Sequence, residues 1–153
     1  MSEPKILKRG KLFHQIVQRD FEAGTKGGGV IPESFVSFVD YTAVKKQSGR
    51  IDIFIKCEGD SVAIFEIKAT NWDRIKFKNV RRNIYRHQKQ LFDYVYKYYE
   101  IDELFATIGV IYPSPPNAEG LREYIEDLCE NDYFFPAYWY SEISDDFDMT
   151  VLE

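Results

Sequence analysis

The stretch GRIDIFIKCEGDSVAIFEIKAT, residues 49–70, decides how the chain folds. GRIDIFI and SVAIFEI are rich in β-branched and aromatic residues in near alternation, which is the pattern of paired strands. The CEGD between them is a hairpin turn. If Glu58, Gly59 and Asp60 form a three-residue turn, the numbers of paired residues add to 118. Asp52 then lies across from Glu66, and Lys68 shares the face of Glu66 because side chains alternate along a strand. Ile51, Ile53, Ile55, Phe65 and Ile67 point to the other face. A slip of one residue would reverse these assignments.

Two carboxylates side by side on interior strands are costly unless something neutralises them. A hard divalent cation does so, and Mg²⁺ is commonly held by one or two carboxylates together with substrate phosphates. Lys68 is then placed to orient or deprotonate a water that attacks a phosphodiester. A structural Asp–Lys–Glu cluster is the plainer reading of the Glu-x-Lys pair taken alone. The segment that follows favours chemistry. Between Arg74 and Lys89 stand seven bases, Arg74, Lys76, Lys78, Arg81, Arg82, Arg86 and Lys89, and no acid. Such a block can hold the phosphate backbone of a nucleic acid.

Outward from the hairpin the pattern is α/β. Lys8 to about Glu22 has helical spacing, with Leu12, Phe13, Ile16, Val17 and Phe21 on one side. AGTKGGG, residues 23–29, breaks it as a loop. ESFVSFVDYTAV is a strand, Asn79 to about Glu100 a long helix, and LFATIGVIY a buried strand stopped by PSPPN. Ala118 to about Glu130 is a second amphipathic helix, and FFPAYWY a last short strand. Helices thus alternate with strands around one mixed sheet, in a single domain over residues 1–153.

With these elements in place, GRIDIFI…AIFEIKAT resembles the motif core of the PD-(D/E)-x-K nuclease superfamily. The resemblance implies an αβββαβ restriction-endonuclease-like core with a mixed central sheet flanked by helices. It puts the metal-binding acid on Asp52 and the acid-x-lysine on Glu66 and Lys68, with the Ile67 carbonyl as a further ligand. The nearest pattern is the RecB-like and Cas4-like branch, whose glutamine and tyrosine on the following helix fall on Gln90 and Tyr94. These two lie one helical turn apart and share a face. That branch's histidine on the first helix falls on His14 in KLFHQIV. Glu22 and Glu33 are rival acids for the same metal. The resemblance runs from Lys8 to Tyr112; the proline before the acid and the cysteine set of iron–sulfur members are missing. It implies Mg²⁺, with Mn²⁺ as a substitute, and DNA as substrate.

Composition narrows the alternatives. The 153 residues are 44% hydrophobic and 16% aromatic, enough for a packed core. No apolar run reaches membrane-span length, and MSEPKILKRGKLF lacks a signal-peptide core, so a cytoplasmic protein is expected. Cys57 and Cys129 are too few for a disulfide framework or a closed zinc site. The net charge of −5 hides a division: residues 119–153 carry eleven acids and one base, Arg122, whereas the rest carries 19 bases against 14 acids. Tyr85, Tyr96, Tyr98 and Tyr99 are assigned to packing; Trp72 is open between core and nucleotide contact. A chain this small needs a homodimer or higher oligomer to cut both strands of a duplex. The expectation is therefore a metal-dependent nuclease, with a catalytically inactive nucleic-acid-binding or assembly protein on the same fold as the alternative.

Overall fold

A computed structural model describes residues 4–25, 38–43, 53–57, 61–98 and 105–153. Within these, the side chains at 22–25, 38–43, 54–57, 61, 62, 94, 97, 98 and 105–107 lie outside the description. The order is α1 (Lys5–Thr25), β1 (Phe38–Ala43), β2 (Ile53–Cys57), β3 (Ser61–Ile67), α2 (Phe77–Tyr98), β4 (Phe105–Tyr112), α3 (Leu121–Asp127), β5 (Ala137–Trp139) and the short α4 (Tyr140–Ile143). The fold is α/β. Its five strands lie in sequence order across one sheet. β1, β2 and β3 pair antiparallel. β3, β4 and β5 pair parallel.

The β2–β3 register agrees with the turn-length reading. Ile53 pairs with Phe65, Phe54 with Ile64, Ile55 with Ala63 and Lys56 with Val62. Residues 58–60 and Asp52 lie outside the described residues, as do Glu33 and most of the glycine-rich loop. Alternation along β3 then sorts its side chains between two cores. Ala63, Phe65 and Ile67 join Ile53 and Ile111 against Phe13, Val17 and Phe21 of α1. Ile64 joins Val110 and Tyr112 against Val80, Ile84 and Leu91 of α2. A sheet buried on both faces needs apolar residues in both parities, which is why β3 and β4 read as nearly continuous hydrophobic runs.

The helices present their stripes at helical spacing. Phe13, Val17 and Phe21 are fully buried at intervals of four, while Leu12, placed on the same side by the sequence reading, sits at the exposed edge. α1 begins three residues before the expected start. Pro4 precedes it and accepts the Lys8 amide at 3.1 Å, so the proline stands where a missing N–H costs nothing. α2 likewise begins two residues early. α3 stops at Asp127, and residues 128–132 continue as a widened π turn, which seats Leu128 and Cys129 in the core. Gly109 on β4 permits one close approach: a Cβ there would meet the Tyr138 ring at 2.5 Å. Tyr138 packs edge-on against Phe65 through that gap.

The acidic C-terminal segment is built into both cores. Ile125, Leu128, Phe135 and Trp139 pack on the α2 side, Tyr140 and Leu152 on the α1 side. Its one base is used locally, since Arg122 makes paired 2.7 Å bonds to Glu142 and a 3.1 Å bond to Glu126. No helix among the described residues is long and apolar enough to cross a membrane.

Candidate active site

β3 ends in FEIK, and the face alternation decides what each residue does. Phe65 and Ile67 go into the α1 core. Glu66 has the other parity and is buried beneath α2, only 4% exposed. Beyond the strand end, Lys68 donates its amide to the Ile111 carbonyl at 3.0 Å, so its backbone stays tied to β4. Its Nζ lies 3.3 Å from Glu66 Oε1, and its side chain keeps 23% exposure. A carboxylate at this depth is costly without a partner, and the ammonium supplies one while itself reaching solvent.

The solvent that Lys68 reaches is a cleft of about 420 Å³. Its walls come from three parts of the chain: α1 through Arg9 and His14, the strand exit through Lys68 to Asn71, and the α2 approach through Arg74 and Asn83. His14 and Lys68, 54 positions apart in sequence, thus open on the same space. His14 is half-buried and sits on the polar side of a helix whose apolar side carries Phe13 and Val17.

Behind Lys68 lies a neutral polar cluster that sequence reasoning missed. His87 is buried on α2, and its Nδ1 lies 2.7 Å from the Tyr112 hydroxyl. Trp72 packs edge-on against both rings, at 6.1 Å and 5.3 Å between centroids. Burial pushes His87 down to about 3, with the positive charges of Lys68 and Arg86 adding to the effect. Burial raises the Tyr112 phenol well above its ordinary value, helped by Cys129 and then by the Glu66 carboxylate. Both rings therefore stay neutral at physiological pH. The available signal was spacing: His87 continues the Val80, Ile84, Leu91 stripe and so belongs to the buried face of α2.

A pH dependence follows from His87. Well above pH 6.5 the ring is neutral whether the chain is folded or not, and its stabilising contribution is complete. Below 6.5 the unfolded chain takes up a proton that the native ring refuses until about 3. Stability is expected to fall through this window by up to about 1.4 kcal/mol per pH unit from this one group. Denaturant melts between pH 7 and 4.5 should show a steeper loss for the wild type than for His87→Phe. Equal slopes would place the imidazole in contact with water.

The remaining expected site residues divide clearly. Gln90 is exposed on α2. Tyr94 lies on α2, but its side chain is outside the described residues, as is that of Glu22. Trp72 is a core residue at 1% exposure, which settles its reading against nucleotide contact. Tyr96, assigned to packing, is instead 68% exposed, and Tyr85 is half-exposed against Tyr133. Tyr98's side chain and Tyr99 lie outside the described residues.

Arg74, Lys76, Lys78, Arg82, Arg86 and Lys89 are all exposed. Arg81 is exposed too, but it bonds Asp132 at 2.8 Å and is partly neutralised there. Helical geometry separates Arg81, which faces the C-terminal segment with Tyr85 and Gln88, from the stripe of Lys78, Arg82, Arg86 and Lys89. The Cys129 thiol is buried and pushed up to about 12, chiefly by desolvation, so it is unreactive as a nucleophile or ligand.

The donor types expected for a metal, the Asp52 and Glu66 carboxylates and the Ile67 carbonyl, are hard oxygens of the kind Mg²⁺ takes. Among the described residues, which exclude Asp52, no three His, Cys, Asp or Glu side chains gather as a metal site. The chain matches no protein-family model, no curated protein and no solved structure.

Proposed function

We propose that this chain is a metal-dependent nuclease that hydrolyses phosphodiester bonds in DNA. The observation that supports it most is the Glu66–Lys68 pair: a buried carboxylate holds an amine at 3.3 Å, and that amine opens on a cleft shared with His14. The observed β2–β3 pairs add to 118, the sum from which the sequence reading puts Asp52 across from Glu66; Asp52 itself lies outside the described residues. The order helix, three antiparallel strands, helix, parallel strand supports the expectation of a restriction-endonuclease-like core.

In this reading Asp52, Glu66 and the Ile67 carbonyl hold Mg²⁺, with His14 at the edge of the set. The ion supplies Lewis-acid polarisation of the scissile phosphate when bound. Lys68 orients the attacking water or, once its ammonium has lost a proton to solvent, accepts the water's proton. The water oxygen bonds to phosphorus, the bond to one ester oxygen breaks, and that oxygen leaves with a proton taken from Lys68 or from solvent. Glu66 keeps the Lys68 amine in position throughout. Gln90 and Tyr94 contact substrate from α2, and the exposed bases between Arg74 and Lys89 hold the backbone without reading its sequence.

The test is direct. Plasmid and single-stranded DNA are incubated with the protein in Mg²⁺, in Mn²⁺ and in chelator. Cleavage that requires the metal and disappears in Asp52→Asn supports the reading. In parallel, Mg²⁺ or Mn²⁺ should raise the melting temperature of the wild type through linkage, by about 2.7 kcal/mol of stability at a hundredfold excess over Kd. Asp52→Asn should abolish most of this rise, and an undiminished rise would put the metal elsewhere. His14→Ala should weaken metal dependence with little loss of stability. A chain that binds DNA but never cleaves it is the inactive binder, for which the Glu66–Lys68 pair is a structural ion pair alone.

A further inference from the structure

The cleft beside Lys68 does not end there. It adjoins a second cleft of about 660 Å³ along the N-terminal turns of α1, and the two share Ile6, Arg9, Asn71 and Arg74 in their walls. Taken together as one furrow, they extend from Lys68 past Arg9 and Arg74 to Lys5 and Lys8. Five cations line it, and Glu153 is the one acid on its walls among the described residues. None of Lys5, Lys8 and Arg9 belongs to the basic block that the sequence draws attention to.

Three features of this furrow are costly, and an anion offsets two of them. Arg9 is anchored, its Nε donating to the Ala69 carbonyl at 3.0 Å, yet its enclosed Nη2 has no hydrogen-bond partner among the described residues. An enclosed guanidinium nitrogen without an acceptor is destabilising. Arg74 stands close enough to Arg9 for the two positive charges to oppose each other, and Glu153 offsets this only in part. Finally, α1 opens with Lys5 and Lys8 and has no acid in its first turn, although the dipole of a helix favours negative charge at that end. A phosphate in the furrow relieves the Arg9–Arg74 repulsion and the uncompensated helix end, while the enclosed Nη2 stays below the surface.

We propose that this furrow is a phosphodiester-binding track, in which Lys5, Lys8, Arg9 and Arg74 hold a nucleic-acid strand whose next linkage lies at Lys68. The concave shape selects a strand over a flat anionic surface. Ile6, Leu12 and Val151, exposed along its walls, suit the sugars and base faces of an unpaired strand. Low-dielectric walls around a row of like charges also concentrate the field on the strand. The track deepens the nuclease reading and takes its direction from Lys68.

The experiment measures binding of a labelled single-stranded DNA 20-mer, a matching RNA and a DNA duplex to the full chain in chelator, across a salt series. The variant Lys5→Gln/Lys8→Gln/Arg74→Gln changes only exposed side chains, and its melting temperature checks the fold. It should bind single strands at least about tenfold more weakly, with a salt slope flatter by about two units, the value for three lost phosphate contacts. Glu153→Gln should bind about twofold more tightly, whereas Glu123→Gln, an equal charge change at an exposed position of α3, should not. A stronger effect on single strands than on duplex supports the track; the DNA and RNA arms identify the sugar it accepts. Unchanged affinity and slope in the triple variant overturn it, as does an equal gain from Glu123→Gln and Glu153→Gln. Because chelator suppresses cleavage, failure of the track and failure of the nuclease reading are separate results. A strand bound through these residues but never cut in Mg²⁺ defeats only the latter.

Discussion

Lys68→Ala should lower the rate of metal-dependent DNA cleavage by about 10²–10⁴-fold, the range for removing a positioned proton-transfer group. Affinity for uncleaved DNA should stay close to the wild type, because one amine among many cations adds little to backbone binding. The separation has a physical basis. In the proposed mechanism Lys68 acts on charge that develops in the transition state, whereas the exposed cations bind ground state and transition state alike. The substitution also strips a buried carboxylate of its ion-pair partner, so some loss of stability is expected. Lys68→Ala combined with Glu66→Gln isolates the stability effect. The double variant removes both charges, should recover stability relative to Lys68→Ala, and should remain inactive. Recovery of cleavage together with stability would make the pair structural. Full cleavage by Lys68→Ala alone would remove the lysine from the mechanism.

Trp72→Ala should destabilise the protein by about 3–5 kcal/mol, the usual cost of emptying a large buried aromatic site. For a chain of this size that corresponds to a fall in melting temperature of about 10 °C. Trp72 packs against His87 and Tyr112, so its removal loosens the cluster that holds both rings. The indole adds a discriminating detail. Its Nε1 is buried with no hydrogen-bond partner among the described residues. Trp72→Phe discards that unsatisfied donor while keeping an aromatic plug, and should cost much less than the alanine. Paired thermal and denaturant melts of the two variants check the order. A cost below about 1 kcal/mol for Trp72→Ala, against the range for buried tryptophan, would mean that the site collapses freely or admits water.

The two predictions bear on different levels of the molecule. Lys68 concerns a group that protrudes from a rigid support, and Trp72 concerns the support. A binding site is precise only when its side chains are held by packed neighbours. Here Lys68 is tied through its amide to β4, through its amine to Glu66, and backed by a neutral His87–Tyr112–Trp72 cluster. The low proton affinity of His87 matters for this reason as well. A charged imidazole there would oppose the Lys68 ammonium across a poorly solvated space.

What the sequence by itself determined is local. Alternation of large β-branched and aromatic residues set the two strands, and the length of the turn between them set their register, because both are properties of consecutive residues. The spacing of Phe13, Val17 and Phe21, and of Val80, Ile84 and Leu91, likewise marked the buried stripes of α1 and α2. Helix ends were legible only to within a few residues, since the first turn is governed by a cap such as Pro4 rather than by periodicity. The tertiary structure alone decided which polar residues meet. The Arg9 bond to Ala69 joins residues 60 positions apart, and the His87 bond to Tyr112 joins residues 25 apart. Those encounters depend on how α1 and α2 pack on opposite faces of the sheet, which no window of sequence contains. The same packing diverts Arg81 to Asp132 and leaves Arg9, outside the conspicuous basic block, in the wall of the cleft. Charge density along the chain marks where cations are abundant. Only the folded surface shows which of them face one another without compensation.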